Sequence, residues 1–200
     1  MYRSSRQPWK EKHTMTFKDT KKAGPREGLS IRESSHIALF AAIIVISSQI
    51  AIPFPGGVPL TLQTWAISLA GMVLGIKNGV FAVIVYILLG AVGVPVFANL
   101  TGGIGIIIGP TGGFILSFPL MALTAGIGEK SRSVIRLIFW LIIGTVINFL
   151  AGMLYFSFVM SVSLSAAFTA AVLPFVPFAL LRIALLPAIG KNVKHALRMP

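Results

Sequence analysis

One positive charge stands inside the apolar part of this chain, at Arg182 in the segment LPFVPFALLRIALLP. A charge at membrane depth is costly unless it is paired, hydrated or able to reach the interface. A guanidinium can bind a carboxylate through two parallel hydrogen bonds, and the apolar segments contain no acidic residue to occupy it. We therefore predict that Arg182 binds a ligand carboxylate. The alternative is that Arg182 reaches the interface or bonds backbone carbonyls.

The stretch GVPVFANLTGGIGIIIGPTGG, residues 93–113, has seven glycines, two prolines and no charge. It cannot hold a continuous helix, and irregular backbone at membrane depth is tolerated only where protein or a cavity satisfies its polar groups. We predict a re-entrant or capping loop over a ligand pocket. Its Asn99, Thr101 and Thr111 suit a neutral ring rich in heteroatoms, and Phe97 offers an apolar wall. These polar residues could instead only form turns.

Gln63 and Trp65 begin the apolar segment after IPFPGGVPLT, and Tyr86 lies inside the next one. All three are candidate ligand contacts. Trp65 could instead anchor the chain at the membrane interface. For Tyr86, and for Asn148 further along, hydrogen bonding between helices is the competing expectation.

The elements that must position these residues are membrane spans, because 56% of the residues are hydrophobic and only 11% are charged. We predict an all-α integral membrane protein, a compact bundle of six spans with the capping loop after the third. Residues 1–34 form a basic cytoplasmic tail, 35–190 the membrane domain and 191–200 a short cytoplasmic tail. The first five predicted spans are 36–52, 60–76, 80–92, 113–127 and 137–158. The sixth follows Pro174 and Pro177 and ends near Pro187 and Lys191.

Lysine and arginine set the orientation. They lie before the first span and at every second connection, whereas the connections 53–59, 94–112 and 159–176 contain neither. The positive-inside rule then predicts cytoplasmic termini and a pocket open to the exterior. The net charge of +12 does not indicate nucleic acid, since nine of the 17 basic residues lie in the first 34 together with four of the five acids. That mixed tail would contact anionic membrane lipid.

The sequence lacks the residues that catalysis, metal binding and ion coupling usually require. The chain has no cysteine, three scattered histidines and no acid after Glu33 except Glu129. We expect no catalytic residue, no metal site and no cofactor bound by this chain, so it is not an enzyme. Ion-coupled carriers generally use intramembrane carboxylates. Energy for uphill transport would therefore have to come from another polypeptide.

Ser34, Ala38 and Ala42 are spaced four apart and form one small-residue stripe on the first span. Such stripes let helices approach closely. From spacing alone, packing within the bundle is the expected use.

Together these segments resemble the BioY family, the biotin-binding substrate-specificity (S) components of energy-coupling-factor (ECF) transporters. The resemblance covers 35–187 and rests on IPFPGGVPLTLQTWAISLAGMVLG, on YILLGAVGVPVFANLTGGIGIIIGPTGGF and on a PF-x-P element opening the sixth span. It implies high-affinity biotin uptake across the cytoplasmic membrane of a prokaryote. It also implies that Ala38 and Ala42 dock a transmembrane coupling subunit, which works with two ATPase subunits that use ATP.

The chain departs from the family at the sixth span, where members typically read PF-x-P-G-D-x-x-K. Ala179 stands in place of the acid, and Arg182 replaces the lysine and keeps its charge. This departure leaves two alternatives open, an S component for another small carboxylated vitamin and a solitary facilitator of biotin uptake. A membrane enzyme acting on lipid would need a titratable catalytic cluster, which the sequence does not offer.

Overall fold

A computed structural model of the chain describes residues 30–54, 57–131 and 133–197. The compact helical unit is Ile31–Pro200. The predicted basic tail, residues 1–34, lies outside the described residues except for its end, and Ile31 already begins the first helix. The helices are α1 Ile31–Gln49, α2 Gln63–Ala91, α3 Ile104–Ile107, α4 Gly112–Lys130, α5 Val134–Met160, α6 Leu164–Ala171 and α7 Val176–Ala196, and the strands are β1 Ala51–Ile52 and β2 Leu60–Thr61.

Helix α2 folds back on itself at Gly75. In a straight helix Gln63 and Tyr86 would be about 35 Å apart, yet Gln63 Nε2 donates a hydrogen bond of 2.7 Å to the Tyr86 hydroxyl. Gly75 has φ 78° and ψ −179°, a conformation that is essentially reserved for glycine. The two arms of α2, residues 63–74 and 76–91, therefore run side by side in opposite directions.

This reversal confirms the prediction of six spans. Five helical stretches of the described chain are long and apolar enough to cross a membrane, and one of them is Gln63–Ala91. Because that stretch turns back at Gly75, it supplies two crossings and the total is six. The protein is a multi-pass membrane protein with a helical bundle as its only large element among the residues described.

Glycines let the central helices touch. A Cβ at Gly71 would lie 2.1 Å from the backbone oxygen of Ala122, and a Cβ at Gly152 would lie 2.1 Å from the Phe114 ring. Small residues at helix contacts are typical of membrane bundles, where backbone packing replaces the hydrophobic driving force. Helix α4 is thus packed closely between the first arm of α2 and α5, while long side chains such as Leu88 and Leu154 are exposed on the outside.

The two ends of the bundle differ in charge. At one end α1 passes into the β1–β2 hairpin, in which Ala51 pairs with Thr61 and Ile52 with Leu60, and the glycine-rich loop joins the second arm of α2 to α4. At the other end Lys194 Nζ lies 3.1 Å from Glu129 Oε1, which joins the last turns of α7 and α4. Other described basic residues at this second end are Lys77 in the α2 turn, Lys130, Arg136 and Lys191.

Some predicted boundaries differ from the structure. The connection 159–176 contains α6, whose N-terminal Ser163 hydroxyl accepts a hydrogen bond from Ala166 N–H. Helix α7 runs to Ala196 and includes Pro187, so it continues past the predicted end near Pro187 and Lys191. Proline is tolerated in membrane helices because neighbouring groups can satisfy the freed carbonyl.

We predict that Gly75→Ala lowers the thermal unfolding midpoint in detergent. Nothing lies within 4 Å of a Cβ built at Gly75, so the expected cost is backbone strain alone, of order 1–3 kcal/mol. Gly105→Ala is the matched control, because its Cβ also meets open space and its φ is not positive. Equal midpoints for the two variants, measured by circular dichroism, would contradict the assigned reversal.

Candidate ligand-binding cavity

A cavity of about 410 Å³ lies at the loop end of the bundle. This is within the usual range for sites that enclose small organic ligands. Its wall comes from Ile50 just after α1, the β1–β2 hairpin, the start of α2, the glycine-rich loop, α4, α5 and α7. Helices from both halves of the chain contribute, so the cavity depends on the packed bundle.

Most of the wall is apolar and aromatic. Its aromatic rings come from four helices, α2, α4, α5 and α7, from the glycine-rich loop and from the short segment before α7. Such a surface suits the hydrocarbon part of a ligand, because burial of apolar area stabilises the complex in proportion to that area. The aromatic lining residues are Trp65, Phe97, Phe114, Phe118, Phe149, Phe175 and Phe178.

Arg182 is the charged group of this wall. Its side chain is only 2% exposed. Nη1 donates to the Thr64 carbonyl at 3.4 Å, and Nη2 donates a short hydrogen bond to Thr145 Oγ1. Thr145 in turn donates to the Leu141 carbonyl at 2.7 Å. The guanidinium is thus oriented by neutral oxygens from two other helices.

One nitrogen of the Arg182 guanidinium has no hydrogen-bond partner among the described residues. Within the described part of the chain, the buried Nε has no hydrogen-bond partner, and the ion pair found there joins Lys194 to Glu129 at the opposite end. A buried charge without a carboxylate and with an unused donor is costly. An anionic group bound in the cavity beside Arg182 would compensate the charge.

Seven of the eight predicted ligand contacts lie on the cavity wall, and these are Arg182, Asn99, Thr101, Phe97, Thr111, Gln63 and Trp65. Tyr86 does not. Its side chain is fully buried, its hydroxyl accepts the hydrogen bond from Gln63, and its ring packs edge-on against Phe97 at a centroid distance of 5.5 Å. The structure therefore places Tyr86 behind the wall, where it supports two lining residues.

Sequence reasoning missed part of the polar lining. Thr61, Thr64 and Thr145 line the cavity but look like ordinary residues of apolar segments. Asn148 was expected to bond between helices, and its Nδ2 donates to the Phe114 carbonyl at 3.0 Å and to Ser117 Oγ at 2.7 Å. It also lines the cavity. The sequence signal that could have identified Asn148 as a lining residue is a polar side chain inside an apolar span, because such a residue usually faces the bundle interior.

The small-residue stripe lies elsewhere. Ser34, Ala38 and Ala42 are exposed on α1, whereas Ile37, Phe40 and Ala41 of the same helix are buried. The stripe therefore faces away from the bundle. This is contrary to the internal packing that spacing alone favoured, and it leaves the stripe accessible in the membrane plane.

Comparison with known proteins identifies relatives along most of the chain. The model of the BioY family matches residues 18–199. The probable biotin transporter BioY of Pyrococcus horikoshii is 40% identical over 149 residues, which cover 74% of this chain and 87% of that protein. The biotin transporter BioY2 of Lactococcus lactis subsp. cremoris is 37% identical over 163 residues, 80% of this chain and 89% of that one. The biotin transporter BioY of Thermotoga maritima is 36% identical over 165 residues, 82% of this chain and 96% of that one.

A solved structure shares the fold. The crystal structure of the S-component for biotin from an ECF-type ABC transporter superposes with a TM-score of 0.76, covering 84% of this chain and 95% of that one, at 22% sequence identity. The six-helix bundle with a loop-end cavity is therefore the S-component fold. Because the family model matches nearly the whole chain and these relatives align over most of their length, this chain belongs to the BioY family.

Proposed function

We propose that this chain takes up biotin as the S component of an ECF transporter. The observation that carries the proposal is the buried Arg182 on the wall of a mostly aromatic cavity, with Nε unpaired. Biotin joins a carboxylate, an aliphatic chain and a neutral ring system with polar atoms. The names of the relatives, which are biotin transporters, support the same ligand.

The cavity offers a place for each part of that molecule. Arg182 binds the carboxylate, because its guanidinium is held in place by Thr64 and Thr145 before the ligand arrives. Preorganised donors avoid part of the entropic cost of binding. The aromatic rings of α4, α5 and α7 enclose the apolar part. Asn99, Thr101 and Gln63 lie on the wall and can hydrogen-bond the polar ring.

Ala179 also lines this wall, one helical turn before Arg182. The family resemblance implies an acid at this position, which would pair with the cation and accept a hydrogen bond from the ligand. With alanine there, the charge of Arg182 is available to a carboxylate. The same substitution removes one acceptor, so another small carboxylated vitamin is the second candidate ligand.

Transport requires an energy source outside this chain. The carboxylates of the described spans lie only at their ends, Glu33 in the first turn of α1 and Glu129 in the last turn of α4, where Glu129 pairs with Lys194. An ion relay through the middle of these spans would have no carboxylate to use. A transmembrane coupling subunit and two ATPase subunits that use ATP would supply the energy, and this chain binds no cofactor and catalyses no reaction. Exposed Ala38 and Ala42 would dock the coupling subunit. A solitary facilitator of biotin uptake is the alternative.

The charge distribution gives the orientation. Lys77, Lys130, Arg136, Lys191 and Lys194 lie at the end opposite the cavity. Basic ends face the cytoplasm by the positive-inside rule. Both termini are then cytoplasmic, in the cytoplasmic membrane of a prokaryote, and the cavity receives its ligand from outside.

We predict that the purified protein binds biotin at one site per chain with submicromolar affinity. The family resemblance implies high affinity, and residues of the loop 93–113 line a cavity of the size that small ligands occupy. Isothermal titration in detergent measures it. No heat and no competition with labelled biotin up to high micromolar concentrations would rule out biotin as the ligand.

Arg182→Ala is expected to weaken biotin binding strongly. Truncating one partner of a desolvated charged pair costs about 2–5 kcal/mol, or roughly 30-fold or more in Kd. Biotin amide, which lacks the negative charge, should bind the wild type poorly and should be nearly indifferent to the mutation. Arg182→Lys, which keeps the charge, should retain part of the affinity for biotin.

This double comparison separates two roles of Arg182, since the residue also joins α7 to α2 and α5. Folding is checked by monodispersity in detergent. Equal losses of affinity for biotin and for its amide would mean that Arg182 holds the helices and not the ligand.

A bulky residue on the exposed stripe should abolish energised uptake and leave ligand binding intact. Ala38→Trp and Ala42→Trp block close approach of another helix, and both positions face away from the bundle. Leu154→Trp, at an exposed position of α5, is the matched control. Uptake is measured in cells that contain the complete transporter, and binding on the isolated chain. If binding fell as far as uptake did, the stripe would be part of the bundle packing.

A further inference from the structure

The cavity-lining segment 97–101 has a strained backbone. Asn99 and Leu100 are consecutive and both have positive φ, 58° and 55°, a region that side chains other than glycine seldom occupy. Leu100 is 70% exposed, so packing of its side chain does not hold this geometry. The turn is closed by Phe97 N–H, which donates to the Thr101 carbonyl at 2.9 Å.

Gln49, the last residue of α1, contacts both sides of this turn. Its Oε1 accepts a hydrogen bond from Leu100 N–H at 2.9 Å. Its Nε2 donates to the Phe97 carbonyl at 3.1 Å and lies 3.3 Å from the Val96 carbonyl. The neighbouring Ser48 hydroxyl donates to the Val96 carbonyl at 2.6 Å. One amide side chain thus spans the strained turn from a helix end.

The two halves of the segment are held differently. The Phe97 ring is buried, packs against Tyr86 and lies where a Cβ on Gly90 would be. Asn99 and Leu100 are exposed. Outside the turn's own hydrogen bonds, the contact that fixes Leu100 N–H is the one from Gln49. Removing Gln49 should therefore loosen residues 98–101 and leave Phe97 in place.

We infer that Gln49 is the positioning residue that holds Asn99 and Thr101 in their ligand-binding arrangement on the cavity wall. The inference rests on the proposed function for the identity of the ligand. The contacts of Gln49 with Leu100 and Phe97 are independent of that identity. Gln49 does not line the cavity, so it acts through the loop. When only a fraction of molecules holds the competent loop, the apparent Kd rises by the inverse of that fraction.

The test compares Gln49→Met with Ile46→Met. Both put methionine near the end of α1, but Ile46 is 66% exposed and has no assigned contact with the turn. Hydrogen exchange of the ligand-free protein should speed up in peptides covering 98–101 in Gln49→Met only, while peptides from α4 and α5 stay protected. If about a tenth of the molecules keep the competent loop, Kd for biotin rises about tenfold.

The kinetics distinguish positioning from general loss of stability. Trp65 lies on the cavity wall, so tryptophan fluorescence can follow biotin binding in stopped flow. In Gln49→Met the association rate should fall and the dissociation rate should change little, because the bound ligand itself then holds the loop. Thermal unfolding midpoints of the two variants should be similar.

Unchanged exchange in 98–101 would overturn the inference, and so would faster exchange with wild-type affinity for biotin. A loss that appeared equally in α4, α5 and the unfolding midpoint would also overturn it, since Gln49 would then be a general structural residue. If the wild type does not bind biotin, the proposed ligand is wrong, and the exchange measurement decides on the role of Gln49 without it.

Discussion

A guanidinium taken out of water must be surrounded by oxygen atoms, because its lost hydration far exceeds one neutral hydrogen bond. In this bundle two of those oxygens belong to Thr64 and Thr145, so α2, α5 and α7 meet around Arg182. The loops that close this end of the molecule, and the aromatic rings between the helices, line the cavity on whose wall Arg182 lies. A negatively charged ligand would balance the positive charge of Arg182 on this wall.

The reversal at Gly75 makes the other side of the cavity possible. It places the start of the first arm of α2 beside the end of the second, so Gln63 reaches Tyr86 and Tyr86 supports Phe97. Three residues that are distant along the chain thereby stiffen one wall. The stiffness does not extend to Asn99 and Leu100, which are exposed and depend on a hydrogen bond from α1.

Local sequence was sufficient for the elements and for part of the wall. Five interruptions of the apolar sequence, at Pro53, at Lys77, in the glycine-rich stretch, after Gly128 and at 159–176, predict six spans. The uncharged polar residues of the glycine-rich stretch that were predicted to contact a ligand, Asn99, Thr101 and Thr111, do line the cavity. The pairings across the bundle were not predictable, because they join residues far apart in the sequence: Arg182 and Thr64 are 118 positions apart, and Gln49 and Leu100 are 51. The last span was predicted to end near Pro187 and Lys191, but α7 runs to Ala196 because a membrane helix can continue through proline.

The packing below the cavity separates binding from translocation. Beneath Phe118 and Arg182 the bundle is filled by Met72, Ala125 and Leu186, each buried to within 1%, and the backbone of Gly71 is in contact with that of Ala122. These buried side chains lie between the cavity and the basic end of the described bundle. Close-packed interiors change between discrete arrangements and do not stretch gradually. A ligand held at Arg182 can reach the basic end only if helices part or the whole bundle moves. The coupling subunit that we propose would act on the outer surface of the helices, where α1 exposes its small residues.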